Sequence, residues 1–509
     1  MNGSLEKKTF FSPPWFWVSM VVLLLAAGLG IRMVDLTEPP LDFHPTRQLR
    51  AAIIARGMYY ESRSDVPAWQ KERAVKLWQE NPMIEPPVFE WLVAETYRLA
   101  GKEILWVARV YAALFWLIGG VALFFLAKEM TSVDGAIVAL ALYLFWHFSI
   151  MASRSFQPDP LMVMWIVLAW QRFYHWSHTH RWRDAVLAGL FAGMAILIKS
   201  VAVFMLAGGM GALVIFDEGM GLRKALKDKQ VWTIAVLSAL PAGLYMIAGI
   251  FVFGLGSQFE GRFFPEMLRS PGFYLRWLFI VKDLLGGTLL VAGLLGLFLL
   301  ARKKDRAFLL GLWGGYILFG LMFPYHYLTH SYYHLPLMPL AALSVAPVGA
   351  SVFFRLAALN RSWLSRWGIV VVFLLGIAIR GWGARLDLVQ KDFRGNPGYW
   401  ADIAKIVGVE HPVVALSQDY GYRLAYYGWL DVTDWPDSKM LTYRDLRGGR
   451  QKNAREWFDE LTKDKDYFIV TRLKELSRQQ DLKKLLSDNY PVVAKGDGYL
   501  IYDLKEHLP

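Results

Sequence analysis

The chain has 509 residues, 55% hydrophobic and 15% aromatic, with a mean hydropathy of +0.31, too apolar for a soluble protein of this size and in keeping with a polytopic membrane protein. The net charge of +12 lies in short basic clusters between apolar segments, so headgroup anchoring and topology account for it and nucleic-acid binding is set aside. The absence of cysteine excludes disulfides and thiolate-ligated metal.

Apolar segments able to cross a hydrocarbon core of ~30 Å run over 15–34, 104–127, 132–150, 158–174, 184–198, 200–216, 231–255, 283–301, 307–323, 334–354 and 367–382. They predict about eleven transmembrane helices. The first run follows Lys7 and Lys8, is too long for a signal-peptide core and has no clear cleavage site, so it reads as an uncleaved span. The run 185–216 is divided at Lys199 and Ser200, because a lysine in mid-bilayer would cost ~2.5 kcal/mol or more. With a cytoplasmic N-terminus, the basic loops at Arg172–Arg183, Arg223–Lys229, Arg302–Arg306 and Arg355–Arg366 all fall inside. The C-terminal region then lies outside.

The outer face receives the unusual loops. The first, 36–103, is too long for a simple connection and predicts two or three amphipathic helices lying on the membrane. Leu49, Ile53, Ile54 and Met58 make one apolar stripe, Trp69, Val75, Leu77 and Trp78 a second, and Pro86-Pro87 opens a third helix through Trp91 and Tyr97. A second outer loop, 256–282, carries Phe259, Glu260, Arg262 and Arg269. Beyond about Arg385 the composition becomes that of a soluble domain. β-like runs at 413–417, 467–471, 491–494 and 499–502 alternate with helical stretches at 399–407, 454–462 and 473–486, which predicts a small α/β sheet. The organisation expected is a membrane domain over 1–384, including the loop 36–103, and an extracytoplasmic domain over 385–509.

The chemistry-bearing residues gather on the predicted outer face. In LDFHPTRQ, Leu41 to Gln48, Asp42 follows Pro39-Pro40 and reads as a general base or as a cap on the helix starting near Pro45. Arg47 offers a planar fork to a phosphate, or anchors the helix at headgroups. His44 supports either group or neither. In RSFQPDP, Asp159 stands at the mouth of a transmembrane helix, where an acid must be solvated, paired or used; Arg154 is positioned to pair with it, and capping is the alternative. In PYHYLTHSYYHLP, His326, His330 and His334 recur every four residues and would share a helical face. Zinc binding is one reading of that face; a polar rim for phosphate or sugar, with Tyr333 and its neighbours, is the other. In IEPPVFEWL, Glu85 before two prolines reads as a site acid and Glu90 as a solvated helix position. The tryptophans read as interfacial anchors.

In this order, an acid after the first span, E-P-P-x-x-x-W-L at Glu85–Leu92, R-x-x-x-P-D at Arg154–Asp159 and H-x-Y-Y-x-L-P-L-x-P ending at Pro339, the chain resembles the GT-C superfamily of membrane glycosyltransferases. The resemblance covers about residues 15–382 and is to the bacterial relatives of protein O-mannosyltransferases and lipid A aminoarabinose transferases. It implies a GT-C fold in a bacterial inner membrane and inverting transfer of a sugar from a polyprenyl-phosphate donor to a hydroxyl of an envelope glycan, lipid or protein. It makes Asp42 the expected base and gives site roles to Arg47, Asp159, Arg154 and Glu85. A divalent cation is optional. Many relatives have Asp-Glu where this chain has Asp42-Phe43, and the aminoarabinose transferases place a lysine where this chain has Pro86. Another basic group must then hold the donor phosphate, with Arg262, Arg269 and the histidines as candidates. The rival classes are a transporter or flippase of a lipid-linked substrate, which usually carries midplane ionisable residues and repeated halves, and a membrane-anchored binding protein acting through its C-terminal domain.

Overall fold

The computed structural model describes residues 9–12, 14–81, 85–216, 221–252, 263–359, 362–446 and 452–508. It divides into two compact units: Met1–Leu36 with Ile84–Pro86 and Ala108–Gln390, and Thr37–Met83 with Pro87–Val107 and Lys391–Pro509.

The first unit is helical. The apolar segments of the sequence are helical, from Pro14–Arg32 and Val107–Met130 through Asp159–Thr179, Trp182–Ile198 and Ala202–Ile215 to Lys303–Met322, Leu337–Leu359 and Trp363–Gln390. The segment 132–150, however, is broken into Val133–Phe145 and His147–Ala152, and 283–301 straddles the break between Pro271–Leu285 and Gly287–Leu299. Among the described residues five helices are long and apolar enough to cross a membrane, or six if the pair Pro271–Leu285 and Gly287–Leu299, bent by 95°, counts as one span. Helix length therefore does not carry the expected eleven crossings, since Val133–Phe145 and Ala202–Ile215 are short. The outward faces are apolar, as a hydrocarbon solvent requires: Val372 and Ile379 on the last long helix are each 69% exposed.

Close helix contact in this unit depends on glycine. Ala202–Ile215 crosses Lys303–Met322 where Gly208 meets Gly311, and a Cβ on either would collide with the other's carbonyl oxygen. Small residues at such crossings let backbones approach and gain van der Waals contact where lipid offers no hydrophobic drive. The crossing joins the helix that follows Lys199 to the one that precedes the histidine-tyrosine stretch.

The second unit combines the first-loop helices with the C-terminal region. The helix Pro45–Glu61 was expected to lie on the membrane with one apolar stripe, but it is buried from Gln48 through Tyr59 on nearly every side. Its small residues Ala51, Ala52, Ala55 and Gly57 let Ala68–Gln79 and Val88–Ala100 pack closely, and Ile54, Met58, Ala94 and Trp78 form one cluster. Glu90, expected to be solvated, is 5% exposed.

The C-terminal sheet has five strands, β1 (Val413–Leu416), β2 (Val432–Asp434), β3 (Tyr467–Val470), β4 (Val492–Gly496) and β5 (Tyr499–Asp503), in the order β2-β1-β3-β5-β4. The first three are parallel, and β5 is antiparallel to β3 and β4. Alternation sets the two cores. Val414, Leu416, Phe468 and Val470 face Phe458, Leu482 and Leu486, while Val413, Ala415 and Ile469 face Trp400, Ile403 and Leu424.

The glycine crossing yields a direct test. Gly208→Ala should destabilise the protein by ~1–3 kcal/mol through overpacking against backbone, read as a lower unfolding temperature in detergent. Gly211→Ala, with nothing within 4 Å of the added carbon, should be neutral or slightly stabilising.

Candidate active site

In the first unit the helix Trp182–Ile198 ends at Lys199, whose backbone is extended at φ −157 and ψ 113 before the chain turns into Ala202–Ile215. The lysine is 3% exposed. Its Nζ lies 2.9 Å from Asp159 Oδ1 and 4.0 Å from Glu85 Oε1. The same ammonium stands 4.8 Å from the Tyr332 ring centroid and 4.6 Å from that of Tyr333, within range of cation–π attraction. A buried ammonium is tolerated only where counter-charges replace its water, and two carboxylates and two ring faces do that here.

Asp159 opens the helix Asp159–Thr179, where the dipole favours negative charge, and Pro158 and Pro160 stiffen the entry. It is 1% exposed, and its Oδ2 has no hydrogen-bond partner among the described residues. Such an oxygen is suited to accept from a ligand hydroxyl. Glu85, Asp159 and Tyr333, all expected in the site, are thus assembled by a lysine that sequence reasoning placed at an interface. The signal was present: one lysine interrupts the apolar run 185–216, and pairing relieves its cost as effectively as escape to water.

Arg154 takes a different place from the one expected. Asp159 forms its ion pair with Lys199, while Arg154 Nη2 donates to the Asp35 carbonyl at 3.0 Å. Arg109 Nη1 donates to the Leu36 carbonyl at 3.0 Å. The two guanidiniums hold the chain where it leaves the first helix, with Asp35 in the left-handed region at φ 50.

The histidines do not share a helical face. The helix Pro324–Thr329 stops at His330, which is extended at φ −129, and a tight 3-10 turn, Ser331–His334, follows before Pro336. His334 is fully buried; its Nδ1 accepts from the Tyr316 hydroxyl at 2.7 Å and its Nε2 donates to the Tyr327 carbonyl at 2.9 Å. Both ring nitrogens are engaged inside the fold, which makes His334 a structural group. His326 stacks on His330 at 5.8 Å and lies 5.7 Å from the Tyr333 ring, beside the lysine's aromatic wall. Among the described residues no group of three or more His, Asp or Glu is gathered as a metal's ligand set.

The second unit holds LDFHPTRQ. Asp42 does not cap the helix. His44 occupies the N-cap position at φ 47, without a side-chain cap, and its carbonyl accepts from the Arg47 amide at 3.0 Å. Asp42 Oδ1 accepts from Gln48 Nε2 at 3.1 Å, and the same amide nitrogen donates to the Phe43 carbonyl at 2.8 Å. Gln48 is fully buried and so orients Asp42 from a fixed base. Sequence reasoning gave Gln48 no role; its signal was its position in the first turn of a helix, six residues after the acid. Arg47 and Arg50, three residues apart on that helix, both act on the Tyr422 phenol. Burial pushes this phenol up, and the two guanidiniums draw it back. Arg262 lies outside the described residues.

A family model described as dolichyl-phosphate-mannose-protein mannosyltransferase matches residues 84–255, which include Glu85, Asp159 and Lys199. No curated protein matches the chain by sequence. Among solved structures, ArnT from Cupriavidus metallidurans in the apo state superposes with a TM-score of 0.61 at 18% identity, over 96% of this chain and 98% of that one. The same protein bound to undecaprenyl phosphate gives 0.55 at 16% identity, over 96% and 98%. The oligosaccharyltransferase AglB from Archaeoglobus fulgidus, in complex with an inhibitory peptide and a dolichol-phosphate, gives 0.56 at 12% identity, over 97% of this chain and 76% of that one. At these identities the likeness is one of fold.

Lys199→Met should leave the buried Asp159 carboxylate, and the partly buried Glu85, without their cation and cost ~3–5 kcal/mol. A double variant that also carries Asp159→Leu should lose less than the sum of the single losses. Equal additivity in thermal unfolding would show that the pair is not coupled.

Proposed function

We propose that this chain, which has the fold of the GT-C membrane glycosyltransferases, transfers a hexosyl or pentosyl group with inversion from a polyprenyl phosphate to an acceptor hydroxyl. The acceptor belongs to an envelope glycan, lipid or protein at the outer face of a bacterial inner membrane, with the N-terminus cytoplasmic and the region 385–509 outside. The observation that carries the reading is the buried Lys199 ammonium between Asp159 and Glu85. Bound undecaprenyl phosphate in one structural neighbour and dolichol-phosphate in another support a lipid-linked donor.

The chemistry follows from where charge develops. The bond from the acceptor oxygen to the sugar's anomeric carbon forms as the bond to the phosphate oxygen breaks. The sugar gains positive character, the phosphate gains negative charge and the acceptor loses a proton. Lys199 stabilises the leaving phosphate, standing beside Glu85 where the aminoarabinose transferases carry a lysine next in sequence and this chain has Pro86. The family resemblance gives Arg47 a phosphate-binding role. Asp159 and Glu85 serve the sugar, its hydroxyls and its developing positive charge. Asp42, oriented by Gln48, takes the proton of the acceptor hydroxyl. The Lys199 ammonium already supplies positive charge, so transfer is expected to persist in a chelator.

The test incubates purified protein in detergent with a radiolabelled polyprenyl-phosphate sugar and an envelope extract. Wild type should label the extract, and Asp42→Asn should lower the rate roughly 10²–10⁴-fold while donor binding persists. Undiminished transfer by that variant would remove Asp42 as the base. Movement of the donor across vesicles without any labelled acceptor would identify a flippase instead.

A further inference from the structure

The helix that carries Arg47 opens on Pro45, whose fixed φ suits a first helical position, but no side chain of its own caps it. Its N-cap, His44, is left-handed and makes no side-chain cap, and Pro45 brings no amide proton. A side-chain contact to its first turn comes from a distant stretch of the chain. Thr46 Oγ1 donates to Asp419 Oδ1 at 2.8 Å, across 373 residues of sequence. Asp419 Oδ2 in turn accepts from Arg423 Nε at 2.6 Å, and Arg423 Nη1 donates to Asn396 Oδ1 at 3.2 Å.

The turn that presents Asp419 is held in an uncommon shape. Asp419 and Tyr420 are consecutive residues at φ 54 and 57, a conformation rare for residues with a Cβ and more so for a tyrosine. The turn leaves β1 and is pinned to the end of β3, where Gln418 Nε2 donates to the Thr471 carbonyl and Thr471 Oγ1 donates to Gln418 Oε1. Further along the same helix, Arg56 Nε reaches both Glu103 oxygens at 3.1 and 3.0 Å, and its Nη1 donates to the Tyr426 carbonyl at 2.6 Å. Burial works against that charge, but Glu103 and the Tyr426 phenol outweigh it and hold the guanidinium above its ordinary range. The helix is therefore tied twice to the segment 419–429.

We infer that Asp419 is a positioning residue: through Thr46 it sets the first turn of the helix Pro45–Glu61, and with it Arg47, Gln48 and the Asp42 carboxylate that Gln48 holds. The C-terminal α/β region is on this view part of the catalytic apparatus rather than an appendage. The inference rests on the reading of Asp42 as the base.

Three variants in full-length protein test it: Thr46→Val, which removes the donor while keeping the shape, Thr46→Ser, which restores it, and Asp419→Ala. Hydrogen–deuterium exchange of the peptide spanning residues 41–53 is measured alongside kcat and KM for the lipid donor. Thr46→Val and Asp419→Ala should each speed exchange in that peptide and lower kcat roughly ten- to a hundred-fold with little change in KM. Thr46→Ser should match wild type, and the double variant should be no worse than Asp419→Ala alone. Wild-type kcat and exchange in Thr46→Val would overturn the inference, as would a Thr46→Ser variant as impaired as Thr46→Val. Faster exchange in a protein whose wild type transfers no sugar would uphold the mechanical link and overturn the transferase reading instead.

Discussion

An ammonium group buried among apolar helices is the constraint on which the first unit's polar architecture depends. Lys199 cannot reach water, so its charge must be met within a few ångströms, and each group that meets it arrives by a separate device. Asp159 sits on the first turn of a helix, whose dipole already favours a carboxylate. Glu85 precedes two prolines that restrict the backbone around it. Tyr332 and Tyr333 are turned toward the lysine by a 3-10 segment that a continuing helix would have pointed elsewhere. The glycine crossing at Gly208 and Gly311 lets the helix behind Lys199 lie close to the helix leading into that segment. A buried ion pair of this kind is weak evidence for stability and better evidence for a site that handles charge.

The second unit solves a different problem. A helix as rich in alanine and arginine as Pro45–Glu61 reads in isolation as one that floats on headgroups. Its small residues instead allow neighbours to close around it, and its arginines find partners within the unit. Arg56 is the clearest case, being enclosed by Glu103, Tyr426 and Trp429, the last with its ring centroid 4.2 Å away. The parallel strands give this unit a stiff platform, and the turn at the end of β1 projects from its carboxyl edge, where open α/β sheets commonly present functional groups.

What the sequence revealed follows the range of the forces involved. Hydrophobic length and period placed most apolar helices and four of the five strands within a few residues, because those signals are local, but the helix Pro271–Leu285 falls largely within the stretch that reads as the outer loop 256–282. β2 was missed because three residues, Val432–Asp434, are too few to show alternation. The order of motifs pointed to Glu85, Asp159 and Tyr333, but not to Lys199, since burial of a lysine is decided by partners about 40 and 115 residues away along the chain. The expected alignment of three histidines failed at His330, where a single extended residue ends the helical repeat. Arg154 was matched to the nearest acid in sequence, whereas the structure gives it the Asp35 carbonyl at the exit of the first helix.

A phenylalanine beside Asp42 is compatible with the Gln48 contacts. Gln48 uses one amide nitrogen twice, toward the Asp42 carboxylate and toward the main-chain carbonyl of Phe43. The second contact requires nothing of the side chain at position 43, so an acid there is dispensable to the clamp. A neutral amide also orients Asp42 without adding a second negative charge. The helix start set by Thr46 and Asp419 fixes Gln48, and Gln48 fixes the acid. The orientation of Asp42 thereby depends on a hydrogen-bonded path that ends in the β1 turn and not on the side chain at position 43.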